Sequence, residues 1–199
     1  MRWLWQITLS IFFCCCILLG CGQLDSGEEK IRHTIATGEP IRTIPIWIDH
    51  RATWSQKHGI EQAIQEWNTA LSPFIKLYVK GDFHMRPDEM AQVDRYNGWA
   101  ILIIYSNYWM AGDEKQLAFV NHVGGNYIYA IEDRIPEHWW KGVIMHEMGH
   151  LFNVSHGSGL MEESFYYHPN ICVDAWTLKQ VSEQHHLPFQ HMRPCQDWW

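Results

Sequence analysis

Three side chains in the segment "MHEMGH" (145–150) have the types and the spacing of a metal site. His146 and His150 are four residues apart, so on a helix they lie on one face, one turn from each other. Two imidazoles placed in this way can share one cation. Glu147 follows directly, and its carboxylate can reach a water molecule beside that cation. A zinc ion bound there lowers the pKa of the water, and the glutamate accepts the water's proton.

A third histidine, His156, follows His150 six residues later. With this composition the pattern His-Glu-x-x-His is expected by chance roughly 0.05 times, and adding the third histidine lowers that number to roughly 0.004. His156 can join the other two only if the helix ends near Asn153 and the chain turns back. Such a turn requires a positive φ, which glycine favours and asparagine tolerates at modest cost. We therefore expect the turn to form.

The segment "HEMGHLFNVSH" resembles the extended zinc motif of the metzincin metallopeptidases, His-Glu-x-x-His-x-x-Gly-x-x-His. The later residues "GLM" (159–161) resemble the Met-turn of that family, and the order of the upstream elements is most similar to its matrixin-like branch. The resemblance covers residues 41–187, and Asn153 departs from it by standing where the family has glycine. It implies one catalytic zinc ion with three ligands, a general base and an apolar floor beneath the metal: His146, His150 and His156; Glu147; and Met161.

The resemblance also implies a function, a zinc-dependent endopeptidase that cleaves a peptide or protein substrate with a zinc-bound water activated by Glu147. Two other hypotheses stay open. One is a non-catalytic surface lipoprotein whose zinc site stabilises a binding module. Structural zinc sites usually have four protein ligands, so a set of three histidines argues against it. The other is a zinc hydrolase that acts on non-peptide amides.

The N-terminus reads as an export signal. "MRWLWQITLSIFFCCCILLGC" (1–21) has one early cation, Arg2, and an apolar stretch too short for a membrane span of about 20 residues. Its end, "LLGC", resembles the bacterial lipobox, which implies that residues 1–20 are a lipoprotein signal peptide and that Cys21 is lipidated. We expect an exported domain held by its lipid to the cell envelope, at the outer membrane in a two-membrane bacterium, facing the periplasm or the exterior. An uncleaved signal anchor is the alternative.

The cysteine count agrees with export. Six cysteines are present; three lie in the signal, and Cys21 is the lipidation candidate. Cys172 and Cys195 remain, and an oxidising compartment would let them form a disulfide. We predict this bond, which would stabilise the fold by about 3 kcal/mol on the loop-entropy model.

The rest of the chain predicts a single α+β domain over residues 41–199, of metzincin type, with a mixed twisted sheet, an active-site helix, a Met-turn and a C-terminal helix. Residues 21–40 are polar and aperiodic and predict a spacer. Segment 117–123 is a candidate edge strand to which an extended peptide could add by main-chain hydrogen bonds. Periodicity, β-branched runs and capping residues place the other elements: strands at 41–49, 74–80, 98–106 and two within 116–133; helices at 55–73, 136–151 and, capped by Asp174, 175–186.

Length and charge exclude some classes of partner. The 199 residues suit one domain, and 47% hydrophobic with 19% charged residues suggests neither disorder nor a polytopic membrane protein. The formal charge is -7 with no basic block, so nucleic acid is not expected as a partner. We expect a monomer.

Four residues could flank the cleft, although surface or packing roles are the stronger interpretation: His122, Tyr127, His138 and His168.

Overall fold

A five-stranded mixed sheet forms the centre of the domain in the computed structural model, which describes residues 26–163 and 171–195. The strand order is β2-β1-β3-β5-β4; the first four of these run parallel, and β4 pairs antiparallel with β5 at one edge. The strands are β1 (Arg42–Asp49), β2 (Ile75–Phe83), β3 (Trp99–Ile104), β4 (Ala118–Val120) and β5 (Tyr127–Ile131).

Five α-helices accompany the sheet in the part of the chain that the structure describes: α1 (Ser26–Thr37), α2 (Trp54–Leu71), α3 (Pro87–Arg95), α4 (Trp140–Leu151) and α5 (Ala175–His185). The second begins at a capping box, in which the Thr53 side chain accepts from Gln56 N–H and the Gln56 side chain accepts from Thr53 N–H. Its predicted apolar stripe is buried as expected: Ile60, Ile64, Trp67 and Leu71.

Alternation along the strands separates two cores. In β1, Ile46 and Ile48 face the core that includes α2, α4 and α5, whereas Trp47 faces the opposite side. Every residue of β3 is buried, as its continuous apolar run predicts for a strand covered on both faces. The second core is the smaller one, and α3 contributes Val93 to it. The α+β class and the mixed sheet are thus as expected from the sequence.

Three features differ from the sequence analysis. The segment 21–40, expected as an aperiodic spacer, contains α1, whose Thr34 is buried and whose Ile31 packs against the larger core. The short helix α3 was not expected from the sequence. It buries only Val93, so it lacks the apolar stripe that would predict a helix. Finally, Pro136 precedes a 3₁₀ turn at Glu137–Trp139, so that α4 begins at Trp140 rather than at Pro136.

The remaining predictions concern the two ends of the chain. Cys172 and Cys195 are paired in the structure, with sulfur atoms 2.04 Å and Cα atoms 6.0 Å apart. Their oxidation in the exported protein stays a prediction. The proposed signal peptide and Cys21 lie outside the described residues. Within residues 26–163 and 171–195, none of the helices combines the length and the apolar character needed to span a membrane.

Candidate metal centre

The helix that carries the motif, α4, is buried along nearly its whole length. Among its residues, Lys141 alone is not classed as buried. On one side it packs against α2, where Gly59 lets the helices approach closely: a β-carbon at that position would lie 2.6 Å from Cβ of Trp140. The indole N–H of Trp67 on α2 also donates to the Met145 carbonyl at 3.1 Å. The motif helix is therefore packed closely against α2 and hydrogen-bonded to it.

The end of α4 has the hydrogen bonds of a Schellman motif. Val154 N–H donates to Gly149 O, and Asn153 N–H donates to His150 O, both at 3.0 Å. Asn153 is left-handed, with φ of 66°. The predicted turn forms with asparagine in the position where glycine is the usual residue, and the chain reverses towards His156.

The turn brings three imidazoles together. One nitrogen from each of His146, His150 and His156 can be chosen so that all three lie within 4.8 Å of one another. The Nε2 atoms of His150 and His156 are 3.1 Å apart. His146 and His150 are buried, whereas His156 is exposed, so the cluster lies at the surface end of a buried helix. Three imidazoles this close together could hold one metal ion.

Backbone carbonyls orient two of the rings. His146 Nδ1 lies 2.7 Å from Leu160 O, and His150 Nδ1 lies 2.7 Å from Val154 O. A neutral imidazole that donates from Nδ1 carries its lone pair on Nε2, so Nε2 would be the metal-binding nitrogen in both residues. Burial lowers the pKa of His146 to about 4, with further lowering from the two neighbouring histidines, and it also lowers the pKa of His150. Both rings are thus neutral at pH 7, the form that binds a metal.

Glu147, next to the first histidine of the cluster, is a buried carboxyl whose hydrogen bonding is incomplete. The side chain is 7% exposed, and its Oε2 atom is buried without a hydrogen-bond partner. Burial raises the pKa of this carboxyl to about 8 in the metal-free protein. A nearby cation favours the ionised form and would lower that pKa again. The histidine cluster and the unpartnered carboxyl therefore fit a bound divalent metal.

The segment below the cluster forms a 3₁₀ turn at Gly159–Met161. Met161 is fully buried, and its sulfur lies so close to Gly149 of α4 that a β-carbon at Gly149 would overlap it. Gly149 lies between His146 and His150 in the sequence, so Met161 packs directly beneath the motif. The role of Met161 as an apolar floor beneath a metal, which the family resemblance implies, stays a prediction.

One carboxylate ties this turn to the C-terminal helix. Asp174 caps α5 as predicted, with Oδ1 accepting from Thr177 N–H at 3.0 Å. Its Oδ2 also accepts from Leu160 N–H at 2.8 Å, and the Leu160 carbonyl is the group that orients His146. The cap could be predicted from the sequence but the contact with Leu160 could not, since local sequence carries no signal for a bond between residues 14 positions apart.

Of the four residues that could have flanked the cleft, the three that the structure describes are not part of the cluster, in agreement with the surface or packing roles preferred for them. His122 and His138 are exposed, and His168 lies outside the described residues. Tyr127 is buried, and its hydroxyl donates to Met90 O and Asp94 Oδ1 on α3, a structural role. Gly149 is a residue that the sequence analysis missed; its small size within the motif was the available signal.

The expected edge strand is present. Within residues 26–163 and 171–195, β4 pairs only with β5, so one of its two edges has no strand from this part of the chain beside it. The loop that follows β4 contacts the end of the motif helix, where Gly124 N–H donates to His150 O at 2.7 Å. The loop after the edge strand is thus hydrogen-bonded to the backbone of His150, whose side chain belongs to the histidine cluster. Neither a protein-family model nor a curated protein matches the chain.

Proposed function

We propose that this protein is a zinc-dependent endopeptidase of metzincin type, exported and anchored to the cell envelope by a lipid on Cys21. One observation carries the enzymatic part: three converging imidazoles lie beside a buried carboxyl, that of Glu147, which has an oxygen without a hydrogen-bond partner. A purely structural zinc site has no need of such a carboxyl, and it usually has a fourth protein ligand.

His146, His150 and His156 would hold the metal through their imidazole nitrogens. A zinc ion bound there supplies Lewis acidity, which lowers the pKa of a water molecule and polarises the scissile carbonyl. Leu160 and Val154 hold the rings of His146 and His150 in the required orientation through their carbonyls. Two of the three ligands would thus be oriented before a metal binds.

Glu147 would move the proton. In its ionised form the carboxylate accepts a proton from the attacking water and then donates it to the nitrogen of the leaving amine. Its buried position excludes bulk water, which would otherwise compete for that proton. The carboxyl is adjacent in sequence to one ligand and three residues from the next, so α4 alone sets its place.

The free edge of β4 would bind the substrate. An extended peptide can add to an exposed strand edge through main-chain hydrogen bonds, which gives affinity with little dependence on side chains. This edge leads through the loop at Gly124 to the C-terminal end of α4. A peptide on β4 would therefore run towards the histidine cluster.

The test is a cleavage profile by mass spectrometry. A soluble form starting at residue 22 would be mixed with a diverse peptide library, beside Glu147→Ala and a chelator control. We expect cuts that disappear in both controls, with zinc still bound to the Glu147→Ala variant and a rate lower by about 10²–10⁴-fold. Full activity of the variant would remove Glu147 from the mechanism. A folded, zinc-loaded protein that cuts nothing would favour the non-catalytic binding lipoprotein.

A further inference from the structure

The asparagine that ends α4 has side-chain contacts that its turn does not require. Asn153 Nδ2 donates to Gln184 Oε1 of α5 at 2.8 Å. On its other side, a β-carbon built on Gly124 would lie 3.0 Å from Asn153 Oδ1, so the amide packs closely against the glycine backbone. A glycine at position 153 would adopt the left-handed turn with less strain but without either contact.

The segment that Asn153 touches, residues 121–126, is compact in itself; we call it the β4–β5 loop. Asn121 Oδ1 accepts from the N–H groups of Asn126 and Tyr127, at 3.2 and 3.1 Å, and Gly125 N–H donates to His122 O at 2.8 Å. These bonds fix the shape of the loop but not its position on the domain.

The position of the loop is set at the end of α4. Gly124 N–H and Asn153 N–H both donate to His150 O, the carbonyl of a proposed metal ligand. The Asn153 amide lies against the same glycine, and Gln184 holds that amide from α5. At its start the loop continues the β4–β5 ladder, because Asn121 N–H donates to Tyr127 O at 3.1 Å. Movement of the loop would therefore move the end of β4.

We propose that Asn153 is a positioning residue that holds the β4–β5 loop, and with it the end of the edge strand, in a fixed place beside the histidine cluster. Its consequence for substrate rests on the proposed peptidase function, since β4 is where a peptide would bind. Asn153 thus acts on substrate binding rather than on the metal.

The test compares Asn153→Gly with the natural chain, both full length in detergent. Hydrogen exchange of a peptide covering 121–126, which contains the Gly124 amide, should become roughly tenfold faster, because the loop loses the packing of the Asn153 amide against Gly124. Exchange in β3 should not change. Zinc affinity, measured by competition with a chromophoric chelator, should stay within about threefold, because glycine also forms the turn. With a cleaved peptide, KM should rise about fivefold and kcat should stay within about twofold.

Two further variants control for general destabilisation. Gln184→Ala removes only the contact with α5 and should speed exchange of the loop by a smaller factor. Glu183→Ala changes an exposed neighbour on the same helix and should leave the loop unaffected. Unchanged exchange of 121–126 in both Asn153→Gly and Gln184→Ala would overturn the proposal, as would a loss of zinc affinity without a change in the loop. If no peptide is cleaved by any form, the peptidase proposal fails, and hydrogen exchange still decides the role of Asn153.

Discussion

Burial of Glu147 makes its ionisation state depend on whether a metal is present. In the metal-free protein its pKa is raised to about 8, so the carboxyl is mostly neutral at pH 7. The same burial lowers the pKa of His146 to about 4. One helix thus carries a neutral acid next to a neutral base, and both groups give up their solvation to occupy the site. Because the loss of solvation shifts both pKa values, the stability of the folded protein depends on pH.

We predict that in the metal-free protein Glu147→Gln removes the contribution of the Glu147 carboxyl to the pH dependence of stability. A raised folded-state pKa gives stability that is fully present below pH 4.5 and is lost as the pH rises through about 8. The variant cannot ionise here, so its stability relative to the natural chain should increase between pH 5 and 8, by on the order of 3–4 kcal/mol. Urea unfolding with chelator present measures this.

The contribution of His146 has the opposite sign, because its lowered pKa gives stability that is lost as the pH falls from 6.5 to about 4. Both chains share this contribution, so it cancels in the difference between them. A difference in stability that stays constant from pH 5 to 8 would contradict the raised pKa of Glu147.

A second prediction at this scale concerns Asp174, which accepts from two backbone N–H groups, those of Leu160 and Thr177. The amide of Asp174→Asn has one oxygen, so keeping the helix cap leaves Leu160 N–H without its acceptor. Because Leu160 orients His146, we expect zinc affinity to fall roughly 10- to 100-fold. Thr177→Val removes a hydroxyl bond to the same carboxylate without touching Leu160, and equal zinc affinities of the two variants would refute the link.

At the scale of elements, the free edge of β4 offers specific backbone groups. Asn121 N–H donates to Tyr127 O, and Ile131 N–H donates to Leu117 O. Hydrogen-bonded residues alternate along an antiparallel pair, so the N–H of Val120 points away from β5 towards the free edge. A bound peptide would use that donor.

We therefore predict that Val120→Pro raises KM about tenfold for peptide substrates, because proline removes one outward donor without removing a bond between β4 and β5. Zinc affinity should not change. Val120→Ala controls for the lost side chain and should keep KM within about twofold. Steady-state kinetics on a peptide identified by the cleavage profile provide the measurement, and an unchanged KM in the proline variant would exclude this edge as the binding site.

Elements with a strong local pattern could be predicted. The apolar run of β3, the stripe of α2 and the capping residue of α5 each depend on nearby residues, and each lies close to its predicted position. The left-handed turn at Asn153 could also be predicted, because asparagine is one of the few residues that tolerate a positive φ. The histidine spacing then required His156 to approach the helix.

Other features depend on contacts between distant residues. Helix α3 has a single buried side chain, Val93, and so carries almost no periodic signal. Helix α1 is polar, and its packing through Ile31 depends on a surface formed by later parts of the chain. The second bond of Asp174 and the close approach of Met161 to Gly149 also arise only when the chain is folded.

At the scale of the whole molecule, the bond between Cys172 and Cys195 holds the C-terminal segment. Cys195 N–H donates to Val173 O at 3.0 Å, one residue before Asp174. We predict that the protein, when it is exported to an oxidising compartment, resists alkylation at both cysteines without reductant. Replacing both by serine should lower the free energy of unfolding by about 3 kcal/mol, measured by denaturant unfolding. Full alkylation of the untreated protein would show that the pair is reduced.

Helix α1 also limits how far the domain could lie from a membrane that held Cys21 by a lipid. Because Ile31 and Thr34 belong to the folded domain, the connection between the proposed lipid on Cys21 and the domain is only the stretch up to Ser26. Five residues, even fully extended, span at most about 18 Å. With a lipid on Cys21, the end of the domain at Ser26 would thus stay within about two nanometres of the bilayer surface. Under the proposed peptidase function, its substrates would be polypeptides that come close to that surface.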